Sequence, residues 1–497
     1  MRKRSSGVLM HISSLPGKFG IGSVGEEAYN FIDFLVKSGQ KYWQILPLGH
    51  TSYGDSPYQC FSAFAGNPHF IDLDILKDEG YLNEEDYINE NFGVNEEKVD
   101  FGLIFEVRNR ILKIAYKNFK KNKLNRHREF EYRQFKEKSK FWLEDYSAYM
   151  AIKDKFNLVA WREWDEDIKN REDEALNKYK EELKDEIEYY KFIQFIFFKQ
   201  WQELKQYANY NGISIIGDIP IYVADDSADM WSNPSLFKVD GNNVPKVVAG
   251  CPPDAFSVTG QLWGNPIYDW EAMEKEEYKW WISRIEESLK LYDMVRIDHF
   301  RGFESYWEIP YGDDTAINGR WVKGPAMKLF DAIKSNLGDV NIIAEDLGFM
   351  TDEVIEFRNK TGFPGMKVLQ FGFGGEDSTD LPHNYINNSI AYTGTHDNDT
   401  VLGWFESVAT EEEREKSLKY LNINSLDDSY SFIRSVLGSV SFLSIVTMQD
   451  LLNLGSEARM NIPSVFGGNW EWRVKKDKIT EKLAEELYDL TKLYGRI

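Results

Sequence analysis

Eight short apolar runs recur along the chain, and each is closely followed by Gly, Pro, Asp or Glu. Most are continuously apolar, which is typical of parallel strands buried on both faces. Amphipathic helices are predicted between several of them, for example over residues 25–38 and 324–335. The predicted strands are 7–12, 42–48, 214–223, 294–300, 341–347, 366–371, 390–393 and 444–448.

Eight strands with intervening helices predict an α/β fold, a (β/α)8 TIM barrel. The alternative is an open doubly wound sheet, which is weakened because no GxGxxG sequence follows a predicted strand. We expect one barrel domain over residues 1–497, with a mainly helical insertion at 49–213 and a loop or lid insertion at 224–275. The second insertion is rich in Pro and Gly, and long loops of this kind are usually functional. The tail after the last strand is too short for a C-terminal β-sandwich domain.

Composition narrows the classes of function. A formal net charge of −22 opposes binding to nucleic acid and to anionic membranes. No run of about 18 apolar residues is present, and the basic N-terminus lacks the apolar core of a signal peptide. Two cysteines are too few for a disulfide framework. The expectation is therefore an acidic cytoplasmic protein, and its 15 Trp and 27 Tyr could serve either a sugar-binding groove or the core.

The stretch MVRIDHFRG at 294–302 carries the central chemistry. At a period of two, Arg296 and Asp298 lie on one face of a strand, close enough to pair. We expect the cation to keep the carboxylate ionised, as a nucleophile or an electrostatic stabiliser requires. A structural ion pair is the alternative. His299 is expected to point to the opposite face and to be packed there.

Two further strands end in candidate catalytic groups. Glu345 follows an apolar run, so desolvation should raise its pKa and keep it protonated as a general acid. His396 and Asp397 follow the seventh strand. The structural alternatives are a carboxylate at a helix N-terminus for Glu345 and an Asx-turn or N-cap for Asp397. One protonated and one ionised carboxylate are what glycoside chemistry needs, and a separation of about 5–5.5 Å would indicate a retaining reaction.

A metal site would use the same residue types, since the strand ends contain HD, ED and DxD groupings. The sequence contains no HExxH, EF-hand spacing or Cys cluster, and Arg296 would repel a cation. We therefore expect no catalytic metal.

Two loops offer side chains that could contact a sugar. One follows the second strand, and the other is the Pro- and Gly-rich lid, which could close over an intermediate and exclude water. For the first loop, ordinary turn chemistry with half-buried tyrosines explains the pattern equally well. The candidate substrate-binding residues here are Tyr53, Ser56, Tyr58, Phe256, Gln261, Trp263 and Asn265.

Several long blocks, in order, resemble the amylomaltases or disproportionating enzymes, the 4-α-glucanotransferases of glycoside hydrolase family 77 in the α-amylase clan. The resemblance covers most of the chain and is weakest over about 85–200. The blocks are LPLGHTSYGDSPYQ, FSAFAGNPHFIDL, GDIPIYVADDSADMW, VVAGCPPDAFSVTGQLWGNP, VRIDHFRGFESYW, IIAEDLG, YTGTHDNDT and GGNWEWR.

The resemblance implies that Asp298 is the nucleophile, Glu345 the general acid/base and Asp397 the transition-state stabiliser. It also implies that the family needs neither a cofactor nor an essential metal. The further residues implied in orienting the nucleophile or binding the donor sugar are Arg296, Tyr58, His396 and Asp218.

The expected activity is a retaining transfer of α-1,4-glucan segments from a maltodextrin donor to the 4-hydroxyl of an acceptor glucan or glucose. The expected partners are maltooligosaccharides, amylose, glycogen or starch, with neither nucleic acid nor membrane. The alternatives are an intracellular α-amylase-type hydrolase, which uses the same three carboxylates, and a non-catalytic glucan-binding protein.

Overall fold

The architecture was analysed in a computed structural model of the 497-residue chain. The structure describes residues 3–52, 54–121, 126–253, 257–375, 378–465 and 467–497. Within these residues, no helix combines the length and the apolar character needed to cross a membrane.

The strands form two sheets. Eight parallel strands close a barrel in the order β1-β12-β11-β10-β9-β6-β3-β2, and four strands form a smaller sheet in the order β5-β4-β7-β8. The strands are β1 Ser5–Leu9, β2 Tyr42–Gln44, β3 Ser214–Pro220, β4 Val247–Cys251, β5 Gln261–Pro266, β6 Met294–Asp298, β7 Ser305–Pro310, β8 Arg320–Lys323, β9 Ile342–Ala344, β10 Gly365–Val368, β11 Ser389–Tyr392 and β12 Leu443–Thr447.

Helices surround the barrel and fill the first insertion. They are α1 Glu26–Lys37, α2 Leu73–Asp78, α3 Phe101–Lys121, α4 Arg126–Lys138, α5 Lys140–Lys155, α6 Glu166–Lys169, α7 Asp173–Glu182, α8 Lys184–Tyr210, α9 Ala228–Ser232, α10 Trp270–Lys275, α11 Lys279–Leu291, α12 Met327–Leu337, α13 Asp352–Thr361, α14 Val401–Gly403, α15 Glu411–Leu421, α16 Tyr430–Gly438, α17 Met448–Leu451 and α18 Glu481–Leu493.

The (β/α)8 barrel predicted from the sequence is confirmed, and each predicted run contains or overlaps one barrel strand. The continuous apolar character has the expected cause, since all residues of β12 and β11 are buried. The strand predicted over 294–300 ends earlier, at Asp298. The next residue, His299, has a φ of 51°, and this left-handed conformation ends the extended backbone.

The smaller sheet corrects one prediction. The stretch 224–275 is not wholly loop, because it contributes β4 and β5 to an antiparallel sheet. The partner of β4 on its other side is β7, which follows the barrel strand β6. A strand whose partner is this distant in sequence gives little local signal. The Pro and Gly residues in this stretch favoured the prediction of a loop.

The helical insertion is tied to the loop after β3 by a buried cation. Lys153 on α5 is 1% exposed, and its ammonium contacts Asp226 Oδ2 at 2.5 Å and the Val159 carbonyl at 3.0 Å. Tyr149, also on α5, donates a hydrogen bond to Asp226 Oδ1 at 2.6 Å. One carboxylate beyond a barrel strand therefore connects α5 to the loop after β3.

A glycine in β3 allows close packing behind the barrel wall. A Cβ at Gly217 would lie 2.2 Å from ring atoms of Tyr292, which is 3% exposed. We expect Gly217→Ala to lower the free energy of unfolding by about 1–3 kcal/mol, the usual cost of overpacking a core. Thermal and urea denaturation followed by circular dichroism would measure this.

The matched control is Gly241→Ala, where an added Cβ meets no heavy atom within 4 Å. Equal stability of the two variants would contradict the packing analysis.

Candidate active site

Three carboxylates lie at the carboxyl ends of three barrel strands, the neighbours β6 and β9 and, beyond β10, β11. Asp298 ends β6, Glu345 directly follows β9, and Asp397 lies five residues after β11. The Glu345 residue is 9% exposed, whereas the side chains of Asp298 and Asp397 are 29% and 43% exposed. The barrel thus brings together the three residues that the sequence indicated, in environments that differ.

A buried arginine links β3 and β6. The ladder places Asp218 beside Arg296 and Pro220 beside Asp298. Because paired residues point to the same face of a sheet, Arg296 can reach both carboxylates. Its guanidinium contacts Asp218 Oδ2 at 2.5 Å and Asp298 Oδ1 at 2.8 Å. The pairing of Arg296 with Asp298 is confirmed, but Asp218 shares the cation.

The pKa of Asp298 differs from what pairing with Arg296 alone would give. Burial raises the pKa of the Asp298 carboxyl above its ordinary value, and Arg296 opposes this without reversing it. The Asp218 and Asp397 carboxylates add to the rise. The expectation that Arg296 keeps the Asp298 carboxylate ionised is therefore only partly met, because the arginine favours the charged form while burial, the larger effect, favours the neutral one.

Glu345 has the environment of a protonated acid. Burial, followed by the Asp298 charge, raises its pKa to about 8. Its two oxygens are held by the backbone, with Oε2 accepting from the His299 N–H at 2.7 Å and Oε1 from the Leu347 N–H at 2.9 Å. The desolvation predicted from the preceding apolar run is confirmed. Glu345 is not at a helix N-terminus, because the next regular helix, α13, begins only at Asp352.

Asp397 has the opposite environment. Burial opposes ionisation there, but His396 Nε2 at 3.3 Å and the Asn461 amide at 2.7 Å together hold the pKa of Asp397 below its ordinary range. In return the Asp397 carboxylate outweighs the effect of burial on His396 and raises the imidazole pKa. The alternative that Asp397 is an N-cap is wrong, because Thr400 is the N-cap residue of the next helix, α14.

Tyr58 and His396 form one wall of the site. Their rings stack at 4.9 Å between centroids with 19° between planes, and Trp470 lies 5.8 Å from each. The Tyr58 hydroxyl donates to Asp218 Oδ2 at 2.8 Å. Burial raises the pKa of this phenol well above its ordinary value, so it remains a donor. Asp218 Oδ1 has no hydrogen-bond partner among the described residues.

The lid residues divide into two groups. Trp263 reaches the site, since its ring packs edge-on against His299 at 4.8 Å, and Gln261 Oε1 accepts its indole N–H at 3.0 Å. Asn265 is instead structural, because its amide N donates to the Val223 carbonyl at 2.8 Å and its amide O accepts from Gln59 at 3.0 Å.

Four other predicted residues have different outcomes. Ser56 accepts the Tyr58 N–H at 3.2 Å, which is turn chemistry. Tyr53 and Phe256 lie outside the described residues. The packing expected of His299 is present, and burial lowers its pKa to about 3, so it is neutral.

Sequence reasoning missed the residues that hold Asp397 from the segment after β12. Asn461 donates to its side chain, and Arg459 Nη2 donates to its backbone carbonyl at 2.9 Å. Neither carries a local signal, because their partner is more than 60 positions away in the chain. Trp470 lies in the GGNWEWR block, but only the fold places it against Tyr58.

Within the part of the chain that the structure describes, no group of three or more His, Cys, Asp or Glu side chains could hold a metal ion. The absence of a catalytic metal stays a prediction from the sequence.

Comparison with known proteins identifies the family. The sequence model of the family described as 4-alpha-glucanotransferase, glycoside hydrolase family 77, matches residues 10–480. This chain belongs to the 4-α-glucanotransferase family. A 4-alpha-glucanotransferase of Clostridium butyricum is 57% identical over 491 residues, which cover 98% of this chain and 100% of that protein. One from Thermus thermophilus is 45% identical over 503 residues, 99% of each chain.

The chain is similar to solved structures of amylomaltases. An amylomaltase from Streptococcus agalactiae in complex with acarbose superposes with a TM-score of 0.96 at 47% identity, covering 99% of this chain and 100% of that one. The amylomaltase of Corynebacterium glutamicum shares the fold at 17% identity, with a TM-score of 0.79, covering 99% of this chain and 75% of that one.

Asn461 offers a test of the Asp397 environment. We expect Asn461→Ala to lower kcat/KM about tenfold, the scale of a hydrogen bond to a charged group. The pKa of Asp397 should rise, but the acidic limb of the pH profile should stay in place, because Asp298, whose pKa is raised, loses its charge first as pH falls. Asn461→Asp should lose more activity, because it places a second negative charge beside Asp397.

Asn388→Ala is the matched control, since that amide donates to the Gly362 carbonyl at 3.2 Å just before β11 begins, at the opposite end of the barrel. Equal kcat/KM values for Asn461→Ala and Asn388→Ala would contradict the role given to Asn461 in holding Asp397.

Proposed function

We propose that this 4-α-glucanotransferase is a retaining enzyme that works through a covalent glycosyl–Asp298 intermediate. The observation that carries the proposal is the contrast between Glu345 and Asp397. Burial and a neighbouring charge raise the pKa of one to about 8, while a histidine and an amide keep the other ionised. Glycoside chemistry needs a protonated acid beside ionised carboxylates.

In the first step, an oxygen of Asp298 attacks the anomeric carbon of an α-1,4-glucan. The bond from that carbon to the glycosidic oxygen breaks, and the oxygen takes the proton of Glu345. The products are a glucan with a free 4-hydroxyl and a glycosyl ester on Asp298.

In the second step, Glu345 is the base. It removes the proton from the 4-hydroxyl of an acceptor, whose oxygen attacks the anomeric carbon and releases the Asp298 carboxylate. Two displacements at one carbon restore the α-configuration. Transfer exceeds hydrolysis when the acceptor is held in position better than water is admitted.

The remaining polar groups support this chemistry. Arg296 orients Asp298 and favours its charged form, and Asp397 stabilises the transition state from the wall that contains His396. Tyr58 and His396 form a flat surface for the donor sugar, and Trp263 lies on the Glu345 side.

The proposed substrates are maltooligosaccharides, amylose, glycogen or starch, with glucose as the smallest acceptor. The relative crystallised with acarbose supports an α-glucan-like ligand. The proposed location is the cytoplasm, on the grounds of charge and cysteine usage in the sequence.

Incubation with maltotriose tests the activity and the nucleophile together. The enzyme should give glucose and chains longer than maltotriose at nearly constant total reducing ends. Asp298→Asn should lower turnover by at least a thousandfold with unchanged circular dichroism, because the amide cannot form the ester. Asp489→Asn, an exposed site on α18, should behave as the parent enzyme.

Rising reducing ends with only glucose and maltose as products would identify a hydrolase instead. Turnover retained by Asp298→Asn would contradict the nucleophile assignment.

The pH profile tests Glu345. As an acid it acts only when protonated, so kcat/KM should fall as pH rises through about 8. The acidic limb should lie above the ordinary pKa of an aspartate, because burial raises the pKa of Asp298 and its protonated form cannot attack. Circular dichroism at each pH would separate titration from unfolding, and an alkaline limb near pH 5 would contradict the analysis.

A further inference from the structure

Two aromatic rings stand exposed beside the loop that carries Glu345. Trp321 on β8 is 37% exposed and Phe349 is 66% exposed. Their planes differ by 21° and their centroids are 6.5 Å apart, so the two rings are neighbours and nearly parallel. Large aromatic side chains are usually buried on folding, and exposed apolar patches often mark binding sites. An exposed pair of nearly parallel rings is therefore a candidate binding surface.

Neighbouring side chains fix the orientation of the two rings. Arg301 is 4% exposed, and its guanidinium carbon lies 3.9 Å from the centroid of the Trp321 ring. The same guanidinium donates to the Phe349 carbonyl and, at 3.2 Å, to Ser305 Oγ. Trp307 packs edge-on against Trp321 at 5.3 Å. The surface is therefore already ordered before any ligand arrives, which reduces the entropic cost of binding.

Its position relative to the carboxylates indicates which part of a glucan it would meet. Phe349 lies four residues beyond Glu345 on the same loop. Trp321 lies in the smaller sheet, whose far strand carries Trp263, the residue that packs on His299 beside Glu345. The wall formed by Tyr58, His396 and Trp470 is built instead around Asp397. The exposed rings thus lie on the side of the general acid, where the leaving group departs and the acceptor enters.

We propose that Trp321 and Phe349 form an acceptor-side subsite that stacks against the glucose rings of a long acceptor glucan. This inference rests on the proposed function. The apolar faces of a glucose ring suit a flat aromatic surface, and remote binding of this kind positions the 4-hydroxyl ahead of water. The subsite would favour acceptors several units long over free glucose, which is too short to span both the acid and the rings.

The test compares acceptors of different length. The donor is α-maltosyl fluoride, and the acceptors are glucose and maltohexaose. Trp321→Ala and Phe349→Ala should each raise KM for maltohexaose about three- to tenfold, the range expected from losing one stacking contact. KM for glucose and kcat should stay within a factor of two, and the fraction of donor lost to hydrolysis should rise. Trp321→Phe, which keeps a flat ring, should recover most of the affinity.

Tyr210→Ala is the control, since that ring is 90% exposed at the end of α8 and outside the proposed subsite. If Trp321→Ala folds poorly because Arg301 loses its partner, Phe349→Ala still tests the proposal, as its ring is mostly exposed.

An unchanged maltohexaose KM in Phe349→Ala would overturn the subsite. An equal rise of the KM for glucose would also overturn it, because it would indicate a general defect. A change of oligomeric state would overturn it too, because it would indicate a protein interface. Failure of the proposed function is distinct, because the parent enzyme would then transfer to neither acceptor.

Discussion

The site depends on one buried cation shared by two carboxylates. Arg296 is 3% exposed and Asp218 is wholly buried, so each would be costly to bury without the other. Burial tends to lower the pKa of the guanidinium, but Asp218 and Asp298 reverse this and raise it. Asp298 therefore sits beside a permanent positive charge at a fixed distance from the barrel wall. The ladder between β3 and β6 sets that geometry, which links the proposed nucleophile to the fold itself.

Around Arg296, the barrel places chemically similar carboxyl groups in different environments. Glu345 is buried and accepts hydrogen bonds from two backbone N–H groups, and burial and the Asp298 charge raise its pKa to about 8. Asp397 is more exposed and is paired with His396 and Asn461, which hold its pKa low. The two environments come from different strand ends, one following β9 and one following β11. Convergence of separate strands is what allows a barrel to assign separate roles to chemically similar side chains.

The sequence predicted the features that depend on local pattern. Buried parallel strands are apolar along their length, so the eight barrel strands stood out, and polar groups at their ends indicated the site. The features it missed depend on distant partners. The sheet that includes β4 and β5 is completed by β7, and Asn461 meets Asp397 only when β12 has taken its place beside β11. The effect of Asp218 on Asp298 likewise needs the register of β3 against β6.

The most direct test of the covalent mechanism is to trap the intermediate. Glu345→Gln would be incubated with α-glucosyl fluoride, whose leaving group needs no proton, and the digested protein analysed by mass spectrometry. Since the glutamine cannot activate an acceptor, the glycosyl ester should accumulate. The account predicts that the peptide containing Asp298 gains one glucosyl unit and that fragmentation locates it on that residue. Fluoride release without any adduct, or an adduct on another residue, would contradict it.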